Sequence, residues 1–215
     1  ERNPMLTTTY GTGELILHAI EHGYREFIIG IGGSATNDAG LGMLQALGFR
    51  FYDQNGEILG KGGQILDQIV AIDFSSVHPA LKDARFTIAC DVRNPFSGPE
   101  GAAYVFARQK GADGAMIEKL DAGMKRFSRL IHSTTGREIT EVAGAGAAGG
   151  LGGAFLAFLN AELKPGIELL LRTLKFDEKI KDADLIITGE GRVDRQSVMG
   201  KVPFGILEEA NKQGI

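Results

Sequence analysis

The chain has a single cysteine, Cys90. One thiol excludes an intrachain disulfide and any metal site built from several thiolates, and it fits a reducing compartment, so a cytoplasmic location is expected. No apolar run approaches the ~20 residues of a membrane-spanning helix, and no signal peptide is visible, so no membrane partner is expected. An excess of charge of one sign is also lacking. The 23 Lys and Arg stand against 27 Asp and Glu, a formal net charge of −4, with no basic footprint for nucleic acid. No G-x-x-x-x-G-K-[ST] run occurs, which excludes a P-loop NTPase. The four histidines, His18, His22, His78 and His132, lie outside every motif. His18 and His22 are four apart, but no E-x-x-H context supports zinc, and one helix face is the better reading.

What is abundant is glycine, 31 residues without collagen-like spacing, so the glycines serve local turns and close approaches. The stretch Ile28 to Leu47, IIGIGGSATNDAGLGMLQAL, is the most telling. An apolar run over 26–31 reads as a buried strand, breaks at Gly32-Gly33 and resumes as a helix over 40–47. A strand, a glycine-rich turn and a helix present a site at the carboxyl end of a sheet in α/β proteins. Gly32 and Gly33 let backbone N–H groups approach a ligand. Ser34, Thr36 and Asn37 add short polar groups, and Asp38 adds charge beside the next helix. The plainer alternative is a tight turn with a polar cap. The density of polar groups favours a ligand loop.

Further strands are expected at 85–91 and 184–188, and a short one at 49–52 before the turn Asp53-Gln54-Asn55-Gly56, a hairpin signal. Helices are expected over 14–21 with Thr12 or Gly13 as cap, 113–133, 154–163, 167–174 and 203–211. Residues 64–74 are ambiguous. Unbroken apolar strands alternating with helices predict an α/β fold. It would have a mostly parallel sheet and helices on both faces, flavodoxin-like or Rossmann-like, with 26–31, 85–91 and 184–188 as near neighbours.

Each of those three strands ends beside an acid: Asp38, Asp91, and Glu190 with Asp194. Converging carboxylates suit Mg²⁺, which takes oxygen ligands and shares them with phosphates. One acid could instead act as a general base; capping of turns is the alternative for each. Gly144 to Gly149 matches G-x-G-x-x-G, but Lys164-Pro165-Gly166 follows the helix instead of a strand ending in an acid, so the dinucleotide context fails. Such a loop can still hold an anion, or it can simply allow close packing. Lys110 and Lys201 stand next to glycines and could reach an anion. Cys90, inside an apolar strand, reads as inert.

Six blocks occur in order: GTGELI (11–16), IGIGGSATNDAGLGMLQALG (29–48), ACDVRNP (89–95), GAGAAGGLG (144–152), ITGEGRVDRQS (187–197) and GKVP (200–203). On them the chain resembles the bacterial glycerate kinases from end to end. The resemblance implies a two-domain kinase that transfers the γ-phosphoryl group of ATP to D-glycerate with Mg²⁺, giving 2-phosphoglycerate or 3-phosphoglycerate. Within such a reaction the loops and acids read above are expected to divide the work, with catalytic duty for Asp38, Asp91, Glu190 and Asp194. Substrate or phosphate binding falls to Gly32, Gly33, Ser34, Thr36, Asn37, Lys110, Gly189 and Lys201, and metal binding to Asp91 and Glu190. Two departures stand out. Ala107-Arg108-Gln109-Lys110-Gly111-Ala112 replaces the usual G-P-Q-K-G-A, and Phe96 stands where Leu is common. The family's opening strand and its closing strand-helix region are not found. The chain is therefore expected to be a central part, with 1–180 as the main α/β domain and 181–215 crossing into a second, and to be nearly inactive alone. A homodimer is a further expectation. The alternative function is a small-anion-binding α/β domain without catalysis.

Overall fold

The computed structural model describes residues 2–189 and 202–215. The chain divides into two compact units, Glu1–Leu163 and Lys164–Ile215. In the first, helix α1 (Tyr10–Glu21) precedes strand β1 (Glu26–Gly30) and helix α2 (Leu41–Ala46). Strands β2 (Arg50–Tyr52) and β3 (Ala71–Asp73) form an antiparallel pair. Strand β4 (Arg85–Ala89), helices α3 (Ala102–Phe106), α4 (Gly114–Thr135) and α5 (Ala147–Phe158), and strand β5 (Glu162–Lys164) follow.

The main sheet has the order β1-β4-β5. The expected pairing of the first two strands is observed. They run parallel, from Glu26 opposite Arg85 to Gly30 opposite Ala89. Parallel pairing in this register releases both chains at the same sheet edge, so the segments after Gly30 and Ala89 leave side by side. That edge is where open α/β sheets bind ligands.

Helices flank the sheet through apolar stripes. Helix α4 buries Ile117, Leu120, Met124, Phe127 and Ile131, at the three- and four-residue spacing of one helical face. Its ends are marked as a sequence can mark them. Asp113 accepts the Met116 N–H at 2.8 Å, and Gly136 closes the helix at φ 73°. Phe86 of β4 stacks on Phe27 of β1 and meets the fully buried Phe155 of α5. Helices α1 and α2 pack so closely that a Cβ on Gly13 would strike the Met43 carbonyl.

Four expectations need correction. Helix α1 begins at Tyr10, a turn earlier than expected, and the residue before it is Thr9; neither Thr12 nor Gly13 caps it. The strand at 85–91 stops at Ala89. The helix expected over 154–163 runs from Ala147 to Phe158 with three left-handed residues, Ala148, Gly149 and Gly150, near its start. It ends early enough for β5 to form. Residues 184–188 form no strand: they pair with no strand among the described residues, and Leu185 and Ile187 are 75% and 89% exposed. An apolar run becomes a strand only when a partner satisfies its backbone.

The second unit holds helices α6 (Gly166–Thr173), α7 (Phe176–Ile180) and α8 (Val202–Gln213). Among the described residues no helix is long and apolar enough to cross a membrane.

Candidate functional site

A hollow of ≈ 240 Å³ opens where β1 and β4 end. Ile31, Gly32, Gly33 and Ser34 wall one side, Ala89 to Val92 another, and Lys110 and Ala148 are among the remaining lining residues. Five residues expected from sequence, Gly32, Gly33, Ser34, Asp91 and Lys110, thus share one space. A side chain at Gly32 or Gly33 would meet nothing within 4 Å, and Gly33 has φ +69°. The loop therefore presents bare backbone to open space, which is what close approach by a ligand requires. A second hollow of ≈ 250 Å³ lies against the same loop. Thr8, Thr9, Thr12, Ser34 and Thr36 contribute to its lining.

Lys110 ends a short 3-10 turn, Arg108–Lys110, and is 5% exposed. Its Nζ donates to Ser34 Oγ at 2.9 Å and to the Thr36 carbonyl at 2.7 Å. It makes no ion pair with another described residue. Burial pulls its pKa down from 10.5 to about 8, and the negative charge of Asp38 opposes that fall. Asp91 is exposed at the end of β4 and faces the hollow. Cys90, beside it, donates to the Val92 carbonyl at 3.3 Å, and burial pushes its thiol up. It is no ready nucleophile.

Asn37 and Asp38 lie beneath the loop and are fully buried. Asn37 Nδ2 donates to Met124 Sδ at 3.3 Å. Asp38 Oδ2 accepts the Thr9 N–H (2.8 Å), the Thr9 hydroxyl (3.0 Å) and the Gly42 N–H (3.2 Å). Its Oδ1 accepts the Gly40 N–H (3.1 Å). Burial holds its pKa above the ordinary carboxylate value, and the four donors oppose that rise without cancelling it. Asp38 therefore fastens the loop to the starts of α1 and α2. Thr9, which the sequence reading passed over, completes this joint by accepting the Met43 N–H at 2.9 Å.

The second glycine loop supports the first. The Ala39 N–H donates to the Gly149 carbonyl at 2.9 Å. A Cβ on Gly149 would strike the Thr36 carbonyl, and one on Gly150 would press on Ala39. Three successive left-handed residues make this approach, and two of them are glycine, which bears that backbone without strain.

Gly189 is described but lies in a segment without regular structure. Glu190, Asp194 and Lys201 lie outside the described residues. Among the described residues no group of three His, Cys, Asp or Glu side chains could hold a metal. Among the described residues one carboxylate, Asp91, faces the hollow. That fits Mg²⁺ held by one or two carboxylates together with substrate phosphates, and does not suit a cage made by protein alone.

The family model of the glycerate kinases matches residues 1–215. Glycerate kinase of Halalkalibacterium halodurans is 49% identical over 215 residues, all of this chain and 57% of that protein. Glycerate 2-kinase of Escherichia coli is 50% identical over 212 residues, 99% of this chain and 56% of that protein. A crystal structure from Salmonella typhimurium LT2, of a protein described as a candidate glycerate kinase 2, superimposes with a TM-score of 0.92. It is 47% identical and is matched over 100% of this chain and 57% of its own. The chain thus spans a little over half the length of the curated relatives it matches.

Proposed function

Because the chain belongs to the glycerate kinase family, we propose that the protein carrying it transfers the γ-phosphoryl group of ATP to D-glycerate in the cytoplasm, giving 2-phosphoglycerate. The observation that carries this is the hollow at the ends of β1 and β4. It joins a bare glycine loop, a buried ammonium and an exposed carboxylate. Phosphoryl transfer is mostly positioning and charge neutralisation, and these are the groups it needs.

In this proposal the hydroxyl oxygen of glycerate forms a bond to the γ-phosphorus, the bond to the β–γ bridging oxygen breaks, and ADP leaves. Gly32, Gly33, Ser34, Thr36 and Lys110 bind and orient oxyanions. Asp91 and Glu190 would hold Mg²⁺, which when bound neutralises phosphate charge. Glu190 or Asp194 would take the hydroxyl proton, and Gly189 and Lys201 are assigned to phosphate binding. Residues 1–180 serve as the main α/β domain and 181–215 lead into a second.

The test is ADP release with D-glycerate and ATP–Mg²⁺, measured on this chain and on the full-length protein that carries it. D-glycerate-dependent turnover by the full-length protein is expected. Anion binding without turnover in the full-length protein would instead favour a non-catalytic binding domain.

A further inference from the structure

We propose that Asp38 is a positioning residue: sealed behind the Gly32–Thr36 loop, its carboxylate is the fixed counter-charge to the Lys110 ammonium, and that ammonium receives an oxyanion of the substrates in the hollow. This rests on the hollow being the phosphoryl-transfer site and adds the electrostatics by which that site holds its ligands.

Asp38 cannot touch reacting atoms. It is fully buried, it does not line the hollow, and both oxygens are taken by donors. A general base needs a lone pair within reach of the proton it removes. All four partners donate, which is the pattern of an ionised carboxylate. Thr9 has one hydroxyl hydrogen, and it points to Asp38 while the oxygen accepts from Met43.

Lys110 has the opposite arrangement. Its ammonium is buried against two neutral oxygens, Ser34 Oγ and the Thr36 carbonyl. An ammonium has three donors, and these bonds use two. Its side chain lines the same hollow as the bare Gly32-Gly33 backbone. Asp38 lies buried two residues along the loop from Thr36, whose carbonyl the ammonium binds, and its charge favours the ammonium from behind the loop. Other titratable groups nearby are Asp91 and Cys90 from the end of β4, Arg108 on its own turn, and Arg2, which donates to the Gln109 carbonyl at 3.4 Å. A buried cation facing an open hollow selects an oxyanion. The chemistry is shared by the acceptor's carboxylate and the donor's phosphates.

The probe is sulfate, whose charge does not change near neutrality. Its binding to the full-length protein is measured by calorimetry from about pH 6 to about pH 9. Affinity is expected to fall through pH ~8 and to be about tenfold weaker at the upper end, as the ammonium loses its proton. In Asp38→Asn the fall moves to lower pH, so the loss of affinity relative to wild type is larger at the upper end of the range than at pH ~6. In Asp38→Glu the wild-type profile returns, and in Lys110→Arg the fall disappears because a guanidinium keeps its charge. D-glycerate and ADP compete with sulfate separately, and the one that displaces it with the same pH profile is the source of the oxyanion.

A loss in Asp38→Asn that is equal at both ends of the pH range would show a merely structural role and overturn the proposal. So would a fall that persists in Lys110→Arg. If Asp38→Asn does not fold, NMR titration of the Lys110 side chain in the wild-type protein decides. A midpoint near 8 supports the counter-charge, and one at ~5–6, as in lysines buried without compensation, overturns it. Absence of sulfate binding overturns the oxyanion subsite even if glycerate is phosphorylated. Binding without phosphorylation would overturn only the kinase reading.

Discussion

Replacing Lys110 by methionine should make the protein more stable at neutral pH while weakening oxyanion binding. The ammonium is 5% exposed, and burial lowers its pKa from 10.5 to about 8. Each pH unit between those values is worth 1.36 kcal/mol, so keeping the buried group charged costs ~3 kcal/mol at pH ~7. Methionine is unbranched, of similar reach and apolar, and removes that cost. Against it stands the loss of the bonds to Ser34 Oγ and the Thr36 carbonyl. A half-buried carbonyl left without its donor costs ~1–2 kcal/mol. The net expectation is a gain of ~1–2 kcal/mol for Lys110→Met. The pH dependence gives the sign check. The folded pKa lies below the unfolded one, so between pH ~8 and ~10.5 the unfolded chain binds more protons and folded stability rises with pH. Wild type therefore recovers its ~3 kcal/mol over that window, and the mutant does not. Urea unfolding of both proteins at pH ~7 and pH ~10 reads the effect as a difference, in which the other lysines and tyrosines cancel. A mutant less stable than wild type by the same amount at both pH values would refute the reasoning.

Three further outcomes follow from the packing. Gly149→Ala places a methyl against the Thr36 carbonyl at a left-handed residue. It should cost about 1 kcal/mol for the backbone and ~1–3 kcal/mol for overpacking, with a lower Tm and weaker sulfate binding, checked by thermal melting and calorimetry. Phe155→Ala empties a fully buried position beside Phe86. It should cost ~3–5 kcal/mol in urea unfolding and leave the KM for D-glycerate unchanged. Asp91→Asn alters an exposed side chain facing the hollow. Stability should change by less than ~1 kcal/mol, while ADP release should need several-fold more Mg²⁺ in the full-length protein. An unchanged Mg²⁺ requirement would remove Asp91 from the metal's ligands.

The sheet was legible where apolar segments run unbroken, although β1 is not the buried strand its apolar run suggests: no residue of Glu26–Gly30 is buried, and Ile28 is 61% exposed. The runs around Ile28 and Ile88 read as strands because they are unbroken apolar segments, and they pair in parallel as such segments do. The same signal failed at 184–188. Composition reports only that a segment could be covered, and pairing needs a partner that the described residues do not supply. Strand β5 was hidden for the opposite reason. It is three residues, Glu-Leu-Lys, too short and too polar to show a period. The break in α5 at Ala148 was invisible because alanine favours helix everywhere except where tertiary contacts hold it left-handed.

At the site, sequence marked residues that the structure brings to one hollow and missed the direction in which side chains point. The glycines and small polar groups of residues 32–36 signalled a loop open to a ligand, and the loop is open. Nothing in the string separates a carboxylate that faces a ligand from one that faces backbone N–H groups, and Asp38 is the second kind. Lys110 was marked by its glycine neighbour, but its burial depends on Ser34 and Thr36, more than seventy positions away. Thr9 gave no motif at all, because its value lies in joining two helix starts through Asp38. These residues form one unit: Thr9 fixes Asp38, Asp38 fixes the loop and attracts Lys110, and Lys110 returns to the loop through Thr36. A change at any member should therefore be felt at the others, and Thr9→Val with Lys110→Met in a double-mutant cycle should show non-additive stability. Separate additive effects would mean that the buried charges act independently.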